Sequence, residues 1–295
     1  MIETSMGKKL RLRRVIRDGR ILVLPFDHPI YFGVLPGTED PRKLVRLARE
    51  QGATAILTTA GALRPALDEI GDMGLIMRVD ATLSHLTGPD TVMHLLHSAE
   101  EAAALGADMV VLNCYIGTGD IPAESALLEK LATVSAECEQ IGMPVCAEII
   151  PRTKAAGAGA GKGAAGTTAS GAGSAAKTGA MPSNEDLAMA IRLGLEYGCD
   201  VVKTVYNGDP EGFAGAVAAG HLPVIMAGGP KTSGEVEFLK QVHEAMTHGA
   251  SGVAIGRRVW GSPNPAATLK AIKAIVFDGA SADEAVAIYN ERLKG

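Results

Sequence analysis

Residues 199–260 decide the fold: Cys199-Asp-Val-Val-Lys203-Thr-Val-Tyr-Asn-Gly-Asp-Pro210, then Pro223-Val-Ile-Met-Ala-Gly-Gly-Pro-Lys231, then Gly252-Val-Ala-Ile-Gly-Arg-Arg-Val-Trp260. Each phrase is a short apolar run that ends in residues able to do chemistry. The runs are continuous rather than alternating, as in parallel strands covered on both faces. Working outward, runs of the same kind lie at 21–26, 55–58, 75–79, 109–112 and 144–149, with 201–205, 223–227 and 252–255 completing the set. Helix-like segments separate most of them, at 40–51, 91–105, 123–141, 183–197 and 235–248. Several helices end on a glycine before the next strand, at Gly52, Gly106, Gly198 and Gly249. Glycine there suits a left-handed C-cap. Eight strands with a repeating helix–Gly–strand phrase predict an α/β fold, a single-domain (β/α)8 TIM barrel over 1–295. The alternative is an open doubly wound sheet. No Gly-x-Gly-x-x-Gly follows the first run, which counts against a dinucleotide-binding version of it.

Composition narrows the function classes. A formal charge of −5 gives no basic footprint for nucleic acid. Hydrophobic residues make up 47% of the chain and aromatics only 4%, so the core is aliphatic. No stretch approaches the ~18 apolar residues of a membrane span. The basic residues Lys8, Lys9, Arg11, Arg13 and Arg14 are not followed by an apolar core of signal-peptide length. Cys114, Cys138, Cys146 and Cys199 form no C-x-x-C pair and fit no zinc spacing, as expected of reduced, buried thiols in a cytoplasmic protein.

One tract breaks the pattern. Residues 155–180 are almost entirely Ala, Gly, Ser and Thr, with Lys162 and Lys177 as the only charges. Such a composition predicts a flexible, disordered loop after strand five, at the catalytic end of a barrel, with a mobile lid as the functional alternative.

Catalytic groups in a barrel come from the C-terminal ends of strands. The first strand ends in Asp27-His28, the fourth in Asn113-Cys114-Tyr115, and the fifth carries Glu148 and Ile150 before Pro151-Arg152. Lys203 interrupts the sixth apolar run. Burial disfavours its charged form, and a neutral amine attacks carbonyls to form a Schiff base. A lysine paired with a buried carboxylate, Asp27 or Glu148, is the alternative. Gly228, Gly229 and Lys231 after the seventh strand, and Gly256 and Arg257 after the eighth, occupy the usual phosphate position of this architecture. Asp27 is a candidate to orient a hydroxyl or relay protons. His28 reads as structural, Asn113 as a hydroxyl binder, and Tyr115 as either a proton-transfer phenol or rim packing. His94 and His97 fall on one predicted helix face without a third ligand, so no metal site is expected.

These motifs together resemble the class I, Schiff-base aldolases of the archaeal fructose-bisphosphate aldolase type. That superfamily also holds the 2-amino-3,7-dideoxy-threo-hept-6-ulosonate synthases and the autoinducer-2 thiolase. The likeness runs from about Ile21 to Phe277, densest in the three phrases quoted above. Leu24-Pro-Phe-Asp27-His28 is similar to the family's Asp-His-Gly opening, with Pro29 in place of glycine, and Tyr115-Ile-Gly also fits. The resemblance implies that Lys203 is the Schiff-base lysine, Asp27 the active-site aspartate, and Gly228, Gly229, Gly256 and Arg257 the phosphate turns, with Lys231 nearby. It also implies a cofactor-free, cytoplasmic aldehyde-lyase of carbohydrate metabolism, active in glycolysis on a phosphorylated ketose and assembled as a homo-oligomer, with a decamer as one form.

One departure stands out. The family's aldolases carry a proton-transfer tyrosine directly before Pro-Arg after strand five, where this chain has Ile150. Glu148, Tyr115 and Asp27 are the candidate replacements. A related synthase, transaldolase-like enzyme or thiolase therefore stays open, as does a phosphosugar-binding barrel without turnover.

Overall fold

The eight apolar runs pair into a closed barrel. In the computed structural model, which describes residues 5–87, 92–152, 181–229 and 234–291, the strands are β1 (Ile21–Pro25), β2 (Ala55–Thr58), β3 (Gly74–Arg78), β4 (Met109–Ile116), β5 (Val145–Pro151), β6 (Val201–Thr204), β7 (Val224–Ala227) and β8 (Gly252–Ala254). Each is parallel to its neighbours, and β8 pairs with β1 to close the ring. The open-sheet alternative is thereby excluded. The tract at 155–180 lies outside the described residues.

Alternation sorts each strand into an outward and an inward set. Inward residues Ile21, Val23, Ala55, Leu57, Ile76, Met109, Val111, Cys146, Val201, Ile225 and Ala254 form the lumen core. Lys203 is two residues beyond Val201, Glu148 two beyond Cys146, and Arg78 two beyond Ile76. The same parity that packs the lumen thus delivers charged side chains to its upper layer.

Helices cover the outside, and their starts follow sequence chemistry. Asp40, Asp209 and Asn264 cap helices Pro41–Glu50, Pro210–Gly220 and Pro265–Asp278, each with proline in the first turn. Ser183 and Asp186 form a capping box for Asn184–Glu196. The four predicted C-cap glycines all have positive φ: 80° at Gly52, 88° at Gly106, 75° at Gly198 and 102° at Gly249.

Two readings are corrected. The predicted helix over 91–105 is reduced to Ala99–Ala104, because Ser98 and Glu101 form a capping box that sets its start. Ahead of it, His94–Leu95 pairs antiparallel with Asp80–Ala81. His94 is therefore in a strand and does not share a helix face with His97. Strand four runs four residues further than predicted, to Ile116, which brings Asn113 and Tyr115 inside the sheet.

The N-terminal basic residues have a structural role. Helix Met6–Val15 inserts Leu12 and Val15 under the lumen core. Lys8, only 3% exposed, pairs with Glu139 and Asp200 at 2.7 and 2.9 Å. Arg11 donates to the Ala107 carbonyl at 3.0 Å and Arg14 to that of Met73 at 3.2 Å. The helix therefore stoppers the end of the barrel opposite the charged layer.

Closure of the ring depends on one small residue. A Cβ at position 252 would lie 1.9 Å from the Ile21 carbonyl oxygen, so β8 approaches β1 only as glycine. Gly252→Ala is expected to destabilise the fold by about 3 kcal/mol through backbone overpacking, read as a lowered urea midpoint. An unchanged midpoint would show that the seam relaxes freely.

Candidate active site

At the C-terminal end of the barrel, β5 and β6 place Glu148 and Lys203 at the same register. Their side chains meet: Lys203 Nζ is 2.8 Å from Glu148 Oε1. Lys203 is 5% exposed. The amine is thus buried, as read from the sequence, but it is met by a carboxylate rather than isolated in apolar surroundings. The carboxylate pairing named as the alternative is thus present, with Glu148 as the partner, and it is compatible with imine chemistry because the carboxylate can accept the ammonium proton.

The other oxygen of Glu148 belongs to a residue that the sequence reading missed. Arg78, 2% exposed at the end of β3, donates through Nη2 to Glu148 Oε2 at 2.6 Å. Its Nε donates to Asp27 Oδ2 at 2.8 Å, and its Nη1 stands 3.3 Å from Asp80 Oδ1. Asp80 also accepts from the Asn113 backbone N–H at 2.9 Å and from Lys130, which reaches in from helix Ile121–Ile141. One connected network therefore runs Lys130–Asp80–Arg78–Glu148–Lys203, with Asp27 on a side branch. The available signal was the phrase Arg78-Val-Asp80, where charges terminate an apolar run at inward parity.

Electrostatics follow from that wiring. Burial pushes the Asp27 carboxyl up, but Arg78, His28 and Lys203 outweigh it and hold Asp27 well below the usual carboxylate range. Burial likewise opposes ionisation of Glu148, and Lys203 and Arg78 reverse the effect and lower its value. Burial disfavours the Arg78 cation, yet the acidic groups around it raise its value well above normal. His28 Nδ1 stands 3.3 Å from Asp27 Oδ1 and its ring meets Trp260 edge-on at 6.0 Å, in keeping with a structural role.

Position 150 is filled by a buried isoleucine, 6% exposed. Tyr115 is its register partner on β4, so a phenol stands one strand away from the missing one. Burial, with Glu148 nearby, pushes Tyr115 up to about 12, which keeps it protonated at neutral pH. The Arg152 guanidinium covers its ring at 4.2 Å from the centroid.

The predicted phosphate turns are only partly free for a ligand. Gly229 has φ +60°, and a Cβ added there would meet nothing within 4 Å, consistent with an open turn. The Gly228 N–H donates to the Ala254 carbonyl at 3.3 Å, so this amide is taken up by the β7–β8 seam rather than offered to an anion. Gly256 is small for an internal reason: a Cβ there would lie 2.4 Å from the Pro25 carbonyl oxygen. Arg257 is partly buried; burial lowers its value, against the pull of Glu148 and Asp27, which places it in the field of the same carboxylates. Lys231 lies outside the described residues. Among the described residues no group of three or more His, Cys, Asp or Glu side chains is placed to hold a metal. No helix among them is long and apolar enough to cross a membrane. The four cysteines are free and buried, and burial pushes each thiol up to about 12.

A buried amine in contact with a carboxylate, with the Arg257 guanidinium in the field of the same carboxylates, is a constellation able to do covalent chemistry on a carbonyl compound. The class this defines is a lysine-bearing β/α barrel. Comparison with known proteins gives the family. The family described as DeoC/LacD family aldolase matches residues 21–262. The chain is 34% identical to a 2-amino-3,7-dideoxy-D-threo-hept-6-ulosonate synthase of Halobacterium salinarum, over 96% of this chain and 97% of that one. It is 32% identical to a class 1 fructose-bisphosphate aldolase of Thermoproteus tenax, covering 91% and 94%. Among solved structures, an archaeal fructose-1,6-bisphosphate aldolase with its catalytic lysine covalently bound to the carbinolamine intermediate of the substrate aligns with a TM-score of 0.72 and 30% identity, covering 91% and 99%. The chain belongs to the DeoC/LacD family of aldolases.

The depressed values of Asp27 and Glu148 have a consequence for acid stability. A carboxyl that titrates lower in the folded chain than in the unfolded one contributes stability that is complete above the unfolded value, near 4, and is lost as pH falls toward the folded value. Arg78→Met is expected to cost about 3–5 kcal/mol at neutral pH by stranding buried carboxylates. It is also expected to flatten the loss of stability below about pH 4. Urea midpoints measured against pH for both proteins check this, and an acid limb of unchanged steepness in the variant would contradict it.

Proposed function

We propose that this aldolase is of class I, with Lys203 forming a Schiff base with the ketone of a phosphorylated sugar. The observation that carries this reading is the buried contact of Lys203 with Glu148 at the C-terminal end of β6. The carbinolamine-bound catalytic lysine of the archaeal relative supports it.

Glu148 is placed to take one proton from the Lys203 ammonium. The neutral amine then attacks the carbonyl carbon, the C=O electron pair moves onto the oxygen, and one proton passes from the new N–H2+ group to that oxygen to give the neutral carbinolamine. Glu148 returns a proton to that hydroxyl, water leaves, and the nitrogen lone pair closes the iminium. For cleavage, the hydroxyl on the carbon beyond the adjacent bond loses its proton to Asp27. The electron pair of the C–C bond flows into the iminium, giving an enamine and a free aldehyde. Protonation of the enamine carbon and hydrolysis restore Lys203. Tyr115, protonated at neutral pH, is a candidate donor for the enamine step. Positioned proton transfer of this kind is typically worth about 10²–10⁴-fold. The phosphate grip falls to Arg257 and the Gly229 turn. Gly228 shapes that turn rather than donating to it, its N–H being used by the Ala254 carbonyl, and the Gly256 turn after β8 and Lys231 are proposed as further contributors.

A related synthase is the second reading. The 34% identity to a 2-amino-3,7-dideoxy-D-threo-hept-6-ulosonate synthase and the isoleucine at position 150 both favour considering it. Product analysis with aldehyde acceptors separates the two. On either reading we propose a cytoplasmic homo-oligomer of carbohydrate metabolism. The free, buried thiols support a reducing compartment.

Borohydride added with dihydroxyacetone phosphate or fructose 1,6-bisphosphate is expected to leave a reduced adduct on Lys203, seen by mass spectrometry and lost in Lys203→Met. Absence of the adduct in the wild type sinks the imine mechanism. Glu148→Gln is expected to slow trapping by about 10²-fold or more while leaving phosphate-dependent binding within severalfold. Equal trapping rates would remove Glu148 from the proton path.

A further inference from the structure

The hydroxyl of Tyr31 is a buried polar atom at the mouth with no hydrogen-bond partner among the described residues, and Oδ1 of Asp27 is met only by His28 Nδ1, at 3.3 Å. Buried tyrosine hydroxyls ordinarily find a partner, and an unmatched one calls for a specific explanation. Tyr31 is 8% exposed and sits on the short helix Pro29–Phe32 that follows β1 at the C-terminal end of the barrel. The helix is tied down by His85, whose backbone N–H donates to the Tyr31 carbonyl at 2.9 Å while its Nδ1 stands 3.1 Å from the same oxygen. The backbone that carries the phenol is therefore anchored. The groups in its field are Arg78, Asp27, Asp80 and Tyr115, the upper layer of the lumen. Burial raises its value above the ordinary tyrosine range, so it is a donor at neutral pH.

An unmatched phenolic donor and a carboxylate oxygen met only by the His28 ring can together hold a single alcohol group, which accepts from the first and donates to the second. A phenylalanine would fill the same apolar space without a stranded hydroxyl, as Phe32 does next to it.

We propose that Tyr31 contacts the substrate, donating its phenolic hydrogen bond to the hydroxyl whose proton faces Oδ1 of Asp27. The ligand class is a polyhydroxylated ketone with an alcohol close to the carbon captured by Lys203. This deepens the imine reading and rests on it for the chemical step. When that alcohol gives its proton to Asp27, the Tyr31 bond stays on the oxygen and opposes the charge that develops there. The chain thereby carries a phenol at the reacting oxygen from the β1 side of the mouth, although position 150 on β5 has none.

The test is Tyr31→Phe. Borohydride trapping of dihydroxyacetone phosphate, which lacks the alcohol to be cleaved, is expected to persist. The kcat/KM for fructose 1,6-bisphosphate cleavage is expected to fall on the order of ten- to a hundredfold. The dissociation constant for fructose 1,6-bisphosphate, measured by calorimetry in a Lys203→Met background where no imine forms, is expected to rise on the order of tenfold. An unchanged kcat/KM with an unchanged dissociation constant overturns the proposal. So does a Tyr31→Phe protein that melts below the wild type, since the phenol would then be structural. If the wild type traps no adduct, the imine reading fails alone and the calorimetric comparison still decides Tyr31. Failure of the Lys203→Met protein to bind the sugar at all overturns the contact.

Discussion

The guanidinium of Arg78 is almost wholly removed from water, and it binds carboxylates that follow β1, follow β3 and lie within β5. A charge in that position is tolerated only because each face of its planar fork is met by an anion. Removing any one carboxylate would leave a fraction of the cation uncompensated, and removing the arginine would strand all of them. The three acids are balanced by Arg78, Lys130 and Lys203, so the cluster is close to neutral before the rim is counted. Arg257 then adds a positive charge at the opening, which favours an anionic ligand in an otherwise acidic chain of net charge −5.

That arrangement fixes what Glu148 can do. Its two oxygens are divided, one held by Arg78 and the other by Lys203. When the lysine loses its proton or becomes part of an imine, the carboxylate keeps its second anchor and does not have to reorient. Such preorganisation is the general way a site avoids rearrangement during the chemical step. Lys130 extends the same logic outward. Its contacts with Asp80 and with the Met93 and Asn113 carbonyls tie the far end of the network to a long surface helix.

The barrel itself was legible because its signals are local. Continuous apolar runs of strand length recur with C-cap glycines, and both are dictated by backbone geometry. The candidate nucleophile Lys203 was legible for the same reason, since a lysine inside such a run is conspicuous. Glu148 and Asp27 were legible as candidates by their place at strand ends. Arg78, Asp80 and Lys130 were not, because what matters about them is their mutual contact across separate strands and a helix. The helix expected over 91–105 failed for a related reason: a tertiary pairing with Asp80–Ala81 overrode an acceptable helical pattern. The glycine turns carry structural constraints that the sequence did not reveal. Gly256 answers to the Pro25 carbonyl and Gly228 to the Ala254 carbonyl, close approaches that look identical in sequence to an anion cradle.

Ile150 takes on a different meaning once the network is in place. It lies two residues beyond Glu148 on the same face of β5, and it is buried. An aliphatic side chain there brings no polar group and offers Glu148 no hydrogen bond to compete with those of Lys203 and Arg78. In the resulting low-dielectric layer the lysine–carboxylate–arginine couplings are stronger than they would be beside a hydrated phenol. The loss of a tyrosine at this position is therefore not simply a gap in the proton path. On the proposed mechanism it leaves proton transfer at the amine to Glu148 and phenolic donation to the neighbouring elements, Tyr115 on β4 and Tyr31 after β1.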